Sequence, residues 1–190
     1  MDILPLYSLL LSIFEKGTVM SPRILVAYAS VHGSTAGVAE AIGKALQIEG
    51  YSVDIAPMKT VSSPGDYDSI VIGAPVYMGK VVGDVKKFVV KHRDALARVP
   101  VAAFCIGVAP LGKDPGDVDT IMNIFRTALA PLEPVDVTMF AGKIDMEKLP
   151  FMHKWIWKKM DGPVGDFRDW EAIGVWAREL PRKLGISAEP

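Results

Sequence analysis

The stretch from Arg23 to Glu49 constrains the fold more than any other part of the chain. Arg23-Ile24-Leu25-Val26-Ala27-Tyr28-Ala29 is a short, β-rich apolar run between Pro22 and the turn Ser30-Val31-His32-Gly33-Ser34-Thr35. A strand without polar alternation is one buried on both faces, as in a parallel sheet covered by helices. After the turn, apolar residues fall at Val38, Ala39, Ile42, Ala45, Leu46 and Ile48, with Glu40, Lys44, Gln47 and Glu49 between them, and Gly50 ends the run. This spacing predicts an amphipathic helix from Thr35 to Glu49. Strand, tight turn and helix in that order are the first half of a βαβ unit, which commits the chain to the α/β class.

The pattern repeats. Strands are expected at Ser52–Ala56, Ser69–Gly73, Val101–Val108 and Val135–Ala141, and helices at about Asp84–Leu96, Asp117–Ala130 and Asp169–Leu184. Five short strands alternating with helices predict a doubly wound parallel sheet with helices on both faces, its crossovers right-handed. With 190 residues, half of them hydrophobic, the chain fills one core rather than two. One domain is expected over residues 20–190, with an insertion at about 145–168.

Charge and cysteine content exclude several functions. Lysine and arginine (21) balance aspartate and glutamate (22), so at net charge -1 no global field gathers nucleic acid. The single cysteine, Cys105, excludes a disulfide framework and any multi-cysteine metal centre, and fits a reducing, cytoplasmic compartment. No metal site is expected. Residues 1–19 form a hydrophobic extension whose run Ile3–Phe14 is shorter than the roughly 20 residues that span a bilayer, and no basic residue precedes it. Three readings stay open for it: a packing helix, an interfacial anchor, or a non-native extension upstream of a start at Met20.

In such sheets ligands sit at the carboxyl ends of the strands, where strand order reverses, so the loops after the first, third and fourth strands carry the chemistry. In the first loop, Ser30, Ser34 and Thr35 offer hydroxyls, Gly33 permits a tight turn, and the following helix offers free N–H groups and the positive end of its dipole. These suit a phosphate. The turn has no lysine or arginine, so it is not a nucleoside triphosphate loop, and it is not the G-x-G-x-x-G dinucleotide turn. A single terminal phosphate fits better. Serine and threonine are also ordinary helix caps, and position directly after the first strand is what favours the phosphate. In the second loop, Gly73–Lys80, Tyr77 and Met78 offer flat or polarizable surface, Pro75 stiffens the chain, and Gly79 allows close approach of a planar ring. The third loop, Gly107–Lys113, has the same permissive character.

The order A-Y-A-S-V-H-G-S-T, then D-Y-D-S-I-V-I-G-A-P-V-Y-M-G-K, then a Gly-bounded fourth loop, resembles the flavodoxin family over about residues 23–184. The resemblance implies a sheet of strand order 2-1-3-4-5 and FMN as cofactor. It implies Ser30, His32, Gly33, Ser34 and Thr35 at the FMN phosphate, with Pro75, Val76, Tyr77, Met78, Gly79, Gly107 and Val108 around the ring. His32 stands where many members have a small hydroxyl residue, and the Gly79 backbone is expected beside flavin N5. The redox chemistry then belongs to the flavin, and no side-chain acid or base is expected to be indispensable. Cys105, inside the fourth strand, reads as a core residue.

Two departures bear on function. Carrier flavodoxins are strongly acidic, whereas this chain is nearly neutral, although Asp114, Asp117 and Asp119 offer a small docking face. The segment Lys148-Leu149-Pro150-Phe151-Met152-His153-Lys154-Trp155-Ile156-Trp157-Lys158-Lys159-Met160, followed by Arg168-Asp169-Trp170-Glu171-Ala172-Ile173, looks like the branch containing menaquinone-dependent protoporphyrinogen IX dehydrogenase. Lysines interleaved with aromatics suit a membrane interface at the inner face, or an apolar substrate bearing carboxylates. A helix packing its aromatics on the sheet edge is the plain alternative. Two function classes follow: an FMN oxidoreductase acting between a tetrapyrrole precursor or other organic donor and a quinone, with an NAD(P)H:quinone reductase as a variant, or an electron carrier between redox proteins.

Overall fold

The computed structural model describes residues 21–77, 79–112, 114–148, 151–159 and 162–187. The N-terminal run Ile3–Phe14 and Met78 lie outside the described residues. The strands are β1 (Arg23–Tyr28), β2 (Ser52–Pro57), β3 (Ser69–Tyr77), β4 (Lys80–Val81), β5 (Val101–Gly107), β6 (Asp136–Ala141), β7 (Lys143–Ile144) and β8 (Gly165–Asp166). The helices are α1 (Ser34–Ile48), α2 (Gly83–Lys91), α3 (Arg93–Leu96), α4 (Pro115–Leu129), α5 (Phe151–Lys159) and α6 (Trp170–Leu184). The main sheet runs β2-β1-β3-β5-β6, all parallel, which is the expected order 2-1-3-4-5 once the short β4 is set aside.

Alternation along each strand feeds two cores. Leu25, Ala27, Ile70, Ile72, Ala103 and Cys105 pack with Val85, Phe88 and Val89 of α2 and Met122, Phe125 and Leu129 of α4. On the other face Ile24, Val26, Val71, Ala102, Phe104 and Ile106 pack with Val38, Ile42 and Leu46 of α1 and Ile173, Trp176 and Leu180 of α6. Both faces being apolar is why the strands read as continuous hydrophobic runs. Asp136 ties β6 to α6, its Oδ2 accepting from Trp176 Nε1 at 2.6 Å and from Lys183 Nζ at 3.1 Å. Asp114 and Asp169 cap α4 and α6, accepting from the amides of Gly116 and Ala172 at 2.8 and 2.9 Å.

The expected loop after Gly73 is instead an extension of β3. Tyr77 pairs with Lys80 and Val76 with Val81 across a tight hairpin that includes Gly79 at φ 71°. Pro75 is tolerated there because β1 has ended: its last pairing is Tyr28 with Gly73, so β3 beyond that point is an edge on the β1 side. The helix expected over Asp84–Leu96 is broken at His92, whose φ of -112° separates α2 from α3.

His92 is only 8% exposed and its Nε2 has no hydrogen-bond partner among the described residues. Burial first, and the Lys91 charge second, hold this imidazole below its ordinary 6.5. The unfolded chain therefore takes up a proton that the folded chain refuses. Stability is complete above about pH 6.5, declines as pH falls below it, and levels off under the depressed folded value. Urea midpoints are expected to drop between about pH 7.5 and about pH 5, and His92→Phe to flatten that slope. An unchanged slope in the variant removes His92 as its source.

Candidate functional site

The site is built where β1, β3, β5 and β6 end. Gly33 adopts φ 89° as the N-cap of α1, without any side chain capping the helix. Ser30 Oγ instead accepts from the Gly33 amide at 3.0 Å, which folds the turn back on itself. The first intrahelical acceptor is the Gly33 carbonyl, taken by the Gly37 amide at 3.2 Å. The amides of Ser34, Thr35 and Ala36 are left with no acceptor among the described residues, and they carry the positive end of the helix dipole. A cavity of about 310 Å³ opens against Ser30, Gly33 and Ala36, with the ion pair Lys59–Asp84 on its wall, and a Cβ added to Gly33 would meet nothing within 4 Å. The turn thus presents donors to open space.

Other expected residues lie at the same ends of the strands, although none of them lines that cavity. The His32 and Tyr77 rings meet edge to face with centroids 6.2 Å apart. Burial raises the Tyr77 hydroxyl above its ordinary 10.0. Gly107 is buried beside Val76: a Cβ there would lie 3.5 Å from the Val76 carbonyl and 2.6 Å from Met139 Cε. Val108 is 38% exposed at the rim, and a turn of 3-10 helix, Ala109–Leu111, follows it in place of an open connection. Pro75 lies within β3, with Ile106 as its partner in β5. Gly79 carries its positive φ in the hairpin turn, open to space on its Cβ side. Thr35, in the first turn of α1, is 1% exposed.

The loop after β6 is a component that the sequence reading did not include. The Gly142 amide donates to the Gly107 carbonyl at 3.0 Å, and the Lys143 amide donates to Ser34 Oγ at 3.2 Å. The β7–β8 hairpin begins there, pairing Lys143 with Asp166. Arg168 Nε donates to Asp166 Oδ1 at 2.8 Å, its Nη2 pairs with Oδ2, and its guanidinium lies 4.3 Å over the Trp170 ring. This group packs on α1, since a Cβ on Gly37 would meet Arg168 Nη1 at 2.8 Å. The available signal was the glycine at the end of the fifth strand, which places backbone beside Gly107 of the fourth.

Cys105 faces the α2/α4 core, fully buried and 4.0 Å from Met122 Sδ. Burial pushes its thiol up to about 12, so it is neutral and inert near neutrality. A larger cleft of about 590 Å³ lies near the other end of the sheet, at Val101 and Val135. It is lined by Arg93, Arg98 and Glu133 among apolar residues, away from the carboxyl ends of the strands.

A family model described as a flavodoxin domain matches residues 25–168. A curated relative, protoporphyrinogen IX dehydrogenase [quinone] of Escherichia coli K12, is 23% identical, over 83% of this chain and 94% of that protein. Among solved structures, flavodoxin 2 from Bacillus cereus aligns with TM-score 0.52 at 20% identity, covering 85% of this chain and 99% of that one. A flavodoxin from the domain Archaea aligns with TM-score 0.50 at 17% identity, covering 86% and 99%. At these identities the structural likeness shows the fold. The cradle also passes a chemical test for a terminal phosphate, having unpartnered amides, hydroxyls and open space, with no acidic residue in the first turn of α1 and with the one carboxylate on the cavity wall, Asp84, paired to Lys59 at 3.1 Å. The chain therefore belongs to the flavodoxin-domain family, with FMN as its cofactor.

Proposed function

We propose that this protein is an FMN-dependent oxidoreductase that moves hydrogen equivalents from an organic donor, with a tetrapyrrole precursor as the first candidate, to a quinone. When bound, FMN supplies the redox chemistry, since it accepts and releases electrons singly or in pairs. The chain's own residues bind and orient it. Ser30, Ser34, Thr35 and the first amides of α1 hold the phosphate, with His32 at the rim. Val76, Tyr77 and Gly79, with Gly107 and Val108, would flank the ring; Pro75 stiffens the strand that carries Tyr77, and Met78, which lies outside the described residues, is assigned to the ring by its place in the sequence. The donor gives up electrons and protons, and the quinone takes them up to become quinol.

The observation that carries the enzyme reading over a bare carrier is α5. It lies in the connection that leaves the cradle at Lys143, and it exposes Phe151, Met152 and Trp155 at 87%, 70% and 60%. Their spacing puts them on one side of the helix, and Lys159 Nζ lies 5.3 Å from the Trp155 ring centre. The alternative of aromatics packed on the sheet edge does not describe these three. Trp157 is tied down, donating from Nε1 to the Pro163 carbonyl at 3.0 Å. Exposed aromatics with lysines suit the water–lipid interface where quinones reside. Among the described residues no helix is long and apolar enough to cross a membrane, so the contact proposed is peripheral.

The test is turnover. FMN-loaded protein given protoporphyrinogen IX is expected to form fluorescent protoporphyrin faster when a menaquinone analogue is added. No stimulation by any quinone, together with rapid electron exchange with a ferredoxin-type protein, overturns the enzyme reading in favour of the carrier.

A further inference from the structure

We propose that Lys143 is the counter-charge for the cofactor's terminal phosphate, supplying from the loop after β6 the cation that the turn Ser30–Thr35 lacks. The proposal rests on the FMN reading above and assigns one more residue to it. The turn itself has no lysine or arginine, its hydroxyls and amides being joined only by the His32 imidazole. Hydroxyls and amides stabilise a dianion, but a nearby cation adds long-range attraction that they do not.

Three observations place Lys143 in that position. Its amide donates to Ser34 Oγ at 3.2 Å, so its flexible four-carbon stem starts at the edge of the cradle. Its side chain is exposed and forms no ion pair among the described residues. The carboxylate that faces it across the hairpin, Asp166, is already engaged by both arms of Arg168. The Arg168 contact, first, and the Lys143 charge, more weakly, hold the Asp166 carboxyl below the usual carboxylate range. Asp145, two residues on from Lys143, accepts at Oδ1 from the Glu147 amide at 3.0 Å. The Asp166–Arg168 pair is thus internally neutral, as is the Lys59–Asp84 pair on the cavity wall, and Lys143 is an uncompensated positive charge on the loop whose backbone meets Ser34.

Riboflavin separates this role from structural support because it lacks the phosphate. Calorimetric titration of apoprotein with FMN and with riboflavin is expected to show Lys143→Gln weakening FMN about tenfold at low salt. Riboflavin affinity should stay unchanged, and Lys143→Arg should retain most of the FMN affinity. The FMN difference should shrink at about 0.5 M salt, where exposed charges are screened. Unchanged FMN affinity in Lys143→Gln overturns the proposal, and so does an equal loss for riboflavin, which would mark a structural role. If wild-type protein binds FMN no better than riboflavin, the phosphate cradle itself fails, and with it the reading on which Lys143 depends.

Discussion

Replacing Ser34 by Ala and Thr35 by Val in one chain is expected to weaken FMN binding about a hundredfold, while riboflavin affinity and the urea midpoint of the apoprotein change little. Each hydroxyl donated to a phosphate oxygen contributes about 1.5 kcal/mol as a charge-assisted hydrogen bond, and 1.4 kcal/mol is a tenfold change in affinity. Two such bonds give about two decades. The loss is not complete, because the amides of Ser34, Thr35 and Ala36 remain. Valine keeps the volume of Thr35, which is 1% exposed, so packing of the turn survives. The control matters because Ser34 Oγ also accepts from the Lys143 amide. Flavin fluorescence quenching reads both affinities. Full FMN affinity in the double variant would show that the phosphate lies elsewhere.

Reversing Lys154, Lys158 and Lys159 to Glu is expected to lower partitioning onto vesicles rich in phosphatidylserine by at least about a hundredfold. Near an anionic surface each basic residue contributes about 1 kcal/mol, and the reversal both removes three attractive charges and adds three repulsive ones. Lys158 and Lys159 occupy the last turn of α5, where they also suit the helix dipole, so some loss of helicity accompanies the change. A Phe151→Ala, Trp155→Ala variant separates the two effects: it keeps the charges and removes apolar groups that are already exposed. It should reduce binding to neutral vesicles as well. Co-sedimentation measures both. Binding unaffected by charge reversal removes the peripheral membrane contact.

What was legible in the sequence follows from how each part is stabilised. The buried strands β1 and β5 announce themselves because two apolar faces leave no room for polar alternation, and the edge strands β2 and β6 also fall within a residue of expectation. The Ser30–Thr35 turn is local, held by Ser30 Oγ on the Gly33 amide, and local chemistry is what a sequence displays. Its hydroxyls read equally as helix caps, and only the structure shows that α1 is entered through Gly33 with no side-chain cap.

The misread parts depend on partners distant in the chain. Pro75 looks like the end of a strand, and it is tolerated only because β1 stops at Tyr28, which no pattern near Pro75 reveals. The break at His92 arises between two helical segments that share one apolar face, so periodicity runs through it unchanged. Lys143 is more than a hundred residues from Ser34, |i−j| being 109, and only the register of β6 on β5 brings them together. The exposure of Phe151 and Trp155 was equally invisible, since a lysine-aromatic pattern serves a packed helix or an interfacial one.

The central claim, that the turn after β1 holds a terminal phosphate, is tested most directly by the 31P resonance of FMN bound to the protein. Free in water, a phosphate monoester takes up its second proton near pH 6. Unpartnered amides and hydroxyls at a helix N-terminus favour the dianion, so the bound resonance is expected to stay fixed from about pH 5 to about pH 8. A bound resonance that titrates near pH 6, as in free FMN, would contradict the account.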